Sequence, residues 1–177
     1  MSGETLDRLR IFLVESPIRM KRLQGVGDVA GTVRRVLVEL TSRDGVVGWG
    51  EAAPWEVFTG TPEAAFVALD RYLRPLALGA NARDVRATRR RFDKALVGHP
   101  EAKLALETAM MDIVGKTHGL SIADLLGGRV RDSVLGYANG WYRAERTPEA
   151  FLEAAKAVIA RGFKAMKLDP FGTAQGF

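Results

Sequence analysis

The sequence predicts two architectures in succession, an α+β domain and then the opening of a parallel α/β domain. Three observations predict this. Residues 33–40 ("VRRVLVEL") alternate in character and lead through Asp44-Gly45 into Val46–Trp49, the pattern of a β-hairpin. Three segments between residues 62 and 118 then carry helical periodicity, two of them opening on Pro62 and Pro100. From residue 133 the order becomes strand, helix, strand with short connections, a βαβ unit that requires parallel pairing.

The elements follow in order. Residues 8–16 ("RLRIFLVES") read as a first strand and residues 17–32 ("PIRMKRLQGVGDVAGT") as a Gly-rich polar loop. The hairpin completes a small antiparallel sheet. Residues 52–61 ("AAPWEVFTGT") form a second loop carrying Trp55 and Phe58. Thr61-Pro62-Glu63 supplies a capping hydroxyl, a first-position proline and a first-turn acid, so a helix runs from there to about Leu78 and stops near Gly79. A second helix covers about 82–97. A third runs from Pro100 to Gly119 on Leu104, Ala105, Ala109, Ile113 and Val114. A short helix spans 121–126 and Gly127-Gly128 breaks it. Residues 133–140 ("SVLGYANG") read as a buried strand, Thr147-Pro148-Glu149 starts a helix that ends near Gly162, and "FKAMKLD" is a second strand. The domains are then 1–131 and 132–177.

Composition sets outer bounds. The 177 residues are 47% hydrophobic and 27% charged, as in ordinary globular proteins. With no cysteine, disulfides, thiol catalysis and cysteine-zinc sites are excluded. The N-terminus lacks a basic-then-apolar signal pattern, and no stretch reaches the roughly 18 uninterrupted apolar residues of a membrane helix. A cytoplasmic protein with no membrane partner is expected. The net charge of +5 raises anionic partners. The densest basic stretch, "RDVRATRRRFDK", places its arginines largely on one helical face opposite Val85, Phe92 and Leu96, which reads as a solvated face rather than a nucleic-acid surface.

Few residues carry chemistry. Lys167 and Asp169 lie two apart at the C-terminal end of the last strand and so share a side, with Lys164 opposite Lys167. Strand C-termini are where α/β barrels project catalytic groups; an exposed Lys–Asp pair at a strand edge is the structural alternative. His99 and His118 flank helix termini without a metal-ligand partner. Glu101, Glu107 and Asp112 on the third helix make no pair at three or four residues, so no helix-borne metal site is expected. "GVGDVAG" precedes a strand and no lysine follows at the spacing of a phosphate loop.

Four segments in order, "DGVVGWGEA" (44–52), "AKLALETAMMDIVGKTHGLSIADLLGG" (102–128), "YANGW" (137–141) and "GFKAMKLDPFG" (162–172), resemble the mandelate racemase/muconate lactonizing branch of the enolase superfamily. The resemblance implies a capping domain, a three-stranded antiparallel sheet with a helical bundle, followed by the start of an incomplete (β/α)8-type barrel. It implies abstraction of a proton alpha to a carboxylate, with Mg²⁺ stabilising the enediolate and its ligands on later barrel strands that this chain lacks. Loops 17–32 and 52–61 match the family's substrate-facing loops, so Arg19, Lys21, Arg22, Trp55 and Phe58 are the candidate substrate contacts. Many family members end the second barrel strand in K-x-K with the second lysine as base; here Lys167-Leu168-Asp169 keeps only the first. A cation beside Asp169 favours its ionised form, so a one-base acid-sugar dehydratase is expected, with cycloisomerase or racemase as the alternative. The chain reads as truncated and inactive alone, and a homo-oligomer is expected; a catalytically inactive capping-domain protein that self-associates is the non-enzymatic alternative.

Overall fold

The computed structural model describes residues 3–19, 22–24, 27–29, 31–56, 58–142 and 147–168. The chain divides into two compact units, Met1–Glu15 with Arg34–Arg129, and Ser16–Val33 with Val130–Phe177.

The first unit is built on a three-stranded sheet ordered β1 (Leu6–Pro17), β4 (Thr32–Ser42), β5 (Val47–Ala52). Arg10 faces Glu39 and Arg8 faces Thr41, the counter-running order of an antiparallel pair. β4 pairs antiparallel with β5 from Val36↔Ala52 to Thr41↔Val47. The period of two in β4 sets its two faces. Val36, Val38 and Leu40 are fully buried on one, against Leu69, Leu73, Phe92, Leu106, Met110 and Ile113 of the helices. Full burial of such side chains stabilises by about 1.5–3 kcal/mol each. Glu39 points to the other face. Its carboxylate accepts from Arg10 Nε at 2.8 Å and Nη2 at 2.5 Å. That hydrogen-bonded pair holds the Glu39 carboxyl below its usual range and raises Arg10.

The first helix begins where its capping residue predicts. Thr61 Oγ1 accepts from Ala64 N at 3.2 Å to open α1 (Pro62–Val67). The single helix expected to Leu78 is instead α1, a π-helical segment (Ala68–Leu73) and α2 (Arg74–Ala77). Pro75 explains the break, because it lacks an amide hydrogen and its ring crowds the carbonyl of Arg71. The chain widens, and Arg74 N donates to Leu69 O, five residues back. α3 (Val85–Ala95) is shorter than the expected 82–97 because Asn81 starts a turn, accepting from Asp84 N on its carbonyl and from Arg83 N on Oδ1. Its basic side is largely solvated, with Thr88 and Phe92 buried. Arg89 instead binds Asp93 at 3.0 Å and Glu107 at 3.1 Å. α4 (Pro100–His118) ends on Gly119 at φ 64°, and a capping box between Ser121 and Asp124 opens α5 (Ile122–Leu125).

The contact between β5 and α4 is what the G-W-G-E and A-L-E-x-A sequences encode. Gly48 and Gly50 face the helix at Ala109 and Ala105. A Cβ on Gly50 would lie 1.9 Å from the Ala105 carbonyl oxygen, and one on Gly48 would lie 2.1 Å from that of Ala109. Strand and helix backbones therefore touch with no side chain between them. β5 is also a sheet edge with outward amides and carbonyls. Asp112 Oδ2 accepts from Trp49 N at 2.9 Å, and Lys116 Nζ donates to Val47 O at 2.8 Å and to Asp112 at 2.7 Å. Two side chains of one helix thus take the place of a fourth strand.

The second unit differs from expectation. Residues 17–32 are not only a loop: β2 (Arg22–Gln24) and β3 (Gly27–Val29) pair antiparallel from Arg22↔Val29 to Gln24↔Gly27. A polar, Gly-rich composition does not by itself separate short paired strands from a loop. The buried strands expected at 133–140 and 163–169 reduce to one parallel bridge, Ala138↔Met166. Val134 is 80% and Leu135 70% exposed. Buried parallel strands need neighbours on both sides, and the described residues give each of these one. The parallel sense itself is as expected. The helix α6 (Pro148–Ala160) starts at Thr147, whose Oγ1 accepts from Ala150 N at 3.2 Å.

Candidate functional site

In the first unit the 52–61 loop leaves β5 over the buried Pro54. The Trp55 carbonyl accepts from the amides of Phe58 and Thr59, both at 2.9 Å, and Thr59 Oγ1 accepts from Trp55 N at 3.1 Å. This closed turn brings Trp55 and Phe58 together, edge to face with ring centroids 5.0 Å apart. Trp55 is 40% and Phe58 66% exposed. The pair offers an apolar aromatic corner on a fixed turn. Immediately after it, Glu63 in the first turn of α1 pairs with Arg34. The Glu63 carboxyl is held low first by its own backbone amide and further by Arg34.

In the second unit Arg19 is exposed beside Ile18, whose amide donates to Gly31 O at 2.9 Å. Arg22 opens β2. Lys21 and Asp169 lie outside the described residues. Lys167 is exposed at the bridged segment. Its amide donates to Ala138 O at 2.8 Å, and its carbonyl accepts from Trp141 Nε1 at 2.8 Å. Trp141 in turn packs edge to face against Tyr142 at 5.5 Å and Phe151 at 6.1 Å. Two of the candidates, Trp55 and Phe58, are thus in direct contact, while Arg19, Arg22 and Lys167 belong to the unit formed by Ser16–Val33 and Val130–Phe177.

Sequence reasoning missed the work of two acid–base clusters. Asp112 and Lys116 cap the β5 edge, and the i, i+4 spacing of opposite charges was the available signal. Glu4 binds Arg83 at 2.6 Å and His118 at 2.7 Å, joining the N-terminal segment to the end of α4. Neither cluster is a metal site: no group of three or more His, Cys, Asp or Glu that could hold an ion occurs among the described residues. No helix among them is long and apolar enough to cross a membrane.

Comparison with known proteins agrees with this architecture. Residues 10–127 match the mandelate racemase/muconate lactonizing enzyme N-terminal domain. The chain is 36% identical over 143 residues to D-gluconate dehydratase of Thermoproteus tenax, covering 77% of this chain and 28% of that protein. It is 34% identical over 142 residues to D-gluconate/D-galactonate dehydratase of Picrophilus torridus, covering 77% and 35%. The crystal structure of a muconate cycloisomerase from Azorhizobium caulinodans superposes with a TM-score of 0.76 at 52% identity, covering 92% of this chain and 40% of that one. The chain therefore spans well under half the length of these relatives. Its sheet, its helices and the matched domain agree: the chain belongs to the mandelate racemase/muconate lactonizing enzyme family of the enolase superfamily.

Proposed function

We propose that this chain supplies the capping domain and a substrate-binding lysine of an enzyme that removes the proton alpha to a carboxylate, with an acid sugar as substrate and water as the leaving group. Lys167 carries the reading. It is an exposed ammonium at a strand end whose backbone is held on both sides. In the reaction the C2–H bond of the acid breaks, charge develops on the carboxylate as an enediolate, the C3 hydroxyl leaves as water, and the enol becomes a 2-keto-3-deoxy acid. An ammonium beside the carboxylate is worth most as that charge develops. The second position of the K-x-K pattern is Asp169, so the base is assigned to a later strand. The similarity to two gluconate dehydratases supports the choice of acid.

Mg²⁺ supplies positive charge to the enediolate in this chemistry. The described residues hold no set of ligands that fits the ion, so no step here is routed through it. A second reading, cycloisomerisation of an unsaturated dicarboxylate, is favoured by the 52% identity to the Azorhizobium structure, and the Trp55–Phe58 corner suits a flat acid.

The test incubates the protein purified from its source with Mg²⁺ and D-gluconate, D-galactonate or cis,cis-muconate, and follows products by NMR. A keto-deoxy acid from a sugar acid is expected. Lactone from muconate alone puts the second reading in its place, and turnover of none of the three sinks both.

A further inference from the structure

We propose that Trp141 is a positioning residue for Lys167, its indole N–H replacing a strand-ladder donor that the backbone withholds. The inference rests on the carboxylate-binding role given to Lys167 above. In a parallel ladder the bonds alternate evenly between the strands. Ala138 N donates to Ala165 O at 3.0 Å and Lys167 N donates to Ala138 O at 2.8 Å. The next bond in that series would run from Gly140 N to Lys167 O. Gly140 instead adopts φ 65°, a left-handed conformation that turns the chain out of the ladder. One residue later, Trp141 Nε1 donates to that same Lys167 carbonyl at 2.8 Å.

The consequence is local and directional. Both polar groups of the Lys167 backbone are held from one short segment, the amide by Ala138 and the carbonyl by Trp141. Because each peptide group is planar, fixing the planes on either side of Cα fixes the direction in which Cβ leaves it. The ammonium then swings only on its own side-chain torsions. The indole is itself braced, by Tyr142, which is buried, and by Phe151 in the first turn of α6. A strand end with a single bridge acquires in this way the directional precision that a continued ladder would give.

The test uses the full 177-residue chain, isotopically labelled. Trp141→Phe keeps a ring against Tyr142 and Phe151 and removes the donor. A second variant carries β-(3-benzothienyl)alanine at position 141, which keeps the bicyclic shape and lacks only the N–H. Loss of one hydrogen bond should speed amide exchange at Lys167 about fivefold in both variants. The order parameters of its side-chain methylenes should fall, with Lys164 unchanged. No change at Lys167 in the benzothienyl variant, or an equal change throughout 138–168, overturns the assignment. Malonate, a small dicarboxylate, then probes the lysine. It should shift the Lys167 13Cε resonance, and the benzothienyl variant should need at least about fivefold more malonate for the same shift. If malonate leaves Lys167 untouched while exchange changes as expected, the carboxylate-binding role fails and the positioning stands. If malonate binds equally well to both chains and exchange does not change, the positioning fails and the binding role stands.

Discussion

Replacing Gly50 by alanine tests the backbone contact between β5 and α4. The added methyl would sit 1.9 Å from Ala105 O, 2.8 Å from Ala105 C and 3.2 Å from Ala105 Cα. Carbon and oxygen in van der Waals contact need more than ~3 Å, so the strand must withdraw from the helix by over ~1 Å. Overpacking of this kind costs about 1–3 kcal/mol, occasionally more, against a gain of about 0.4–1 kcal/mol from the stiffer unfolded chain. A net loss of about 1–2 kcal/mol lowers Tm by roughly 2–8 °C in a chain of this size. Thermal unfolding followed by circular dichroism reads it. Gly136→Ala is the control, since nothing lies within 4 Å of its added methyl, and its Tm should stay within about 1 °C. The obstructing atoms at residue 105 are backbone, so Ala105→Gly must fail to rescue Gly50→Ala. A Gly50→Ala protein that melts with the wild type, or a rescue by Ala105→Gly, would refute the contact.

Two further expectations follow from buried polar groups. Thr88 Oγ1 is buried in α3 without a hydrogen-bond partner; Thr88→Val should stabilise by about 1 kcal/mol and raise Tm by roughly 2–4 °C, and a lower Tm would show that the hydroxyl is satisfied. Glu39 is held below its usual range by its hydrogen bonds from Arg10, so its contribution is full above the unfolded value of about 4.3 and is lost as pH falls through the depressed one. Arg10→Met should therefore lower the urea midpoint at pH 7 and flatten its fall between about pH 5 and 2; an acid arm as steep as that of the wild type would contradict this.

The elements legible in the sequence are those with local causes. The alternation of β4, the Asp44-Gly45 turn with Gly45 at φ 84°, and the caps at Thr61 and Thr147 each depend on residues within a few positions. The β5–α4 contact is long-range. Nothing near Gly48 or Gly50 announces that a helix some 55 residues later will lie on them. Asp112 was readable as a helix-surface acid and not as the acceptor for Trp49 N. The π-helical segment had a visible cause in Pro75, but a proline three-quarters of the way along a helix can equally kink or end it. At residues 133–140 the apolar pattern was real, yet burial depends on neighbours that a single segment does not contain. Of the candidate site, the aromatic types at 55 and 58 were legible and their edge-to-face contact was not. The donor that Trp141 gives to Lys167 needed the left-handed turn at Gly140 to be seen.

The central claim is that Lys167 faces the carboxylate of an acid whose α-proton is removed. The most direct measurement is loss of deuterium from D-[2-²H]gluconate with Mg²⁺ in the protein expressed in its source, compared between the wild type and Lys167→Met. Release is expected in the wild type and at least ~100-fold slower release in the variant, the scale set by removing one transition-state charge partner. Equal rates in the two proteins would contradict it.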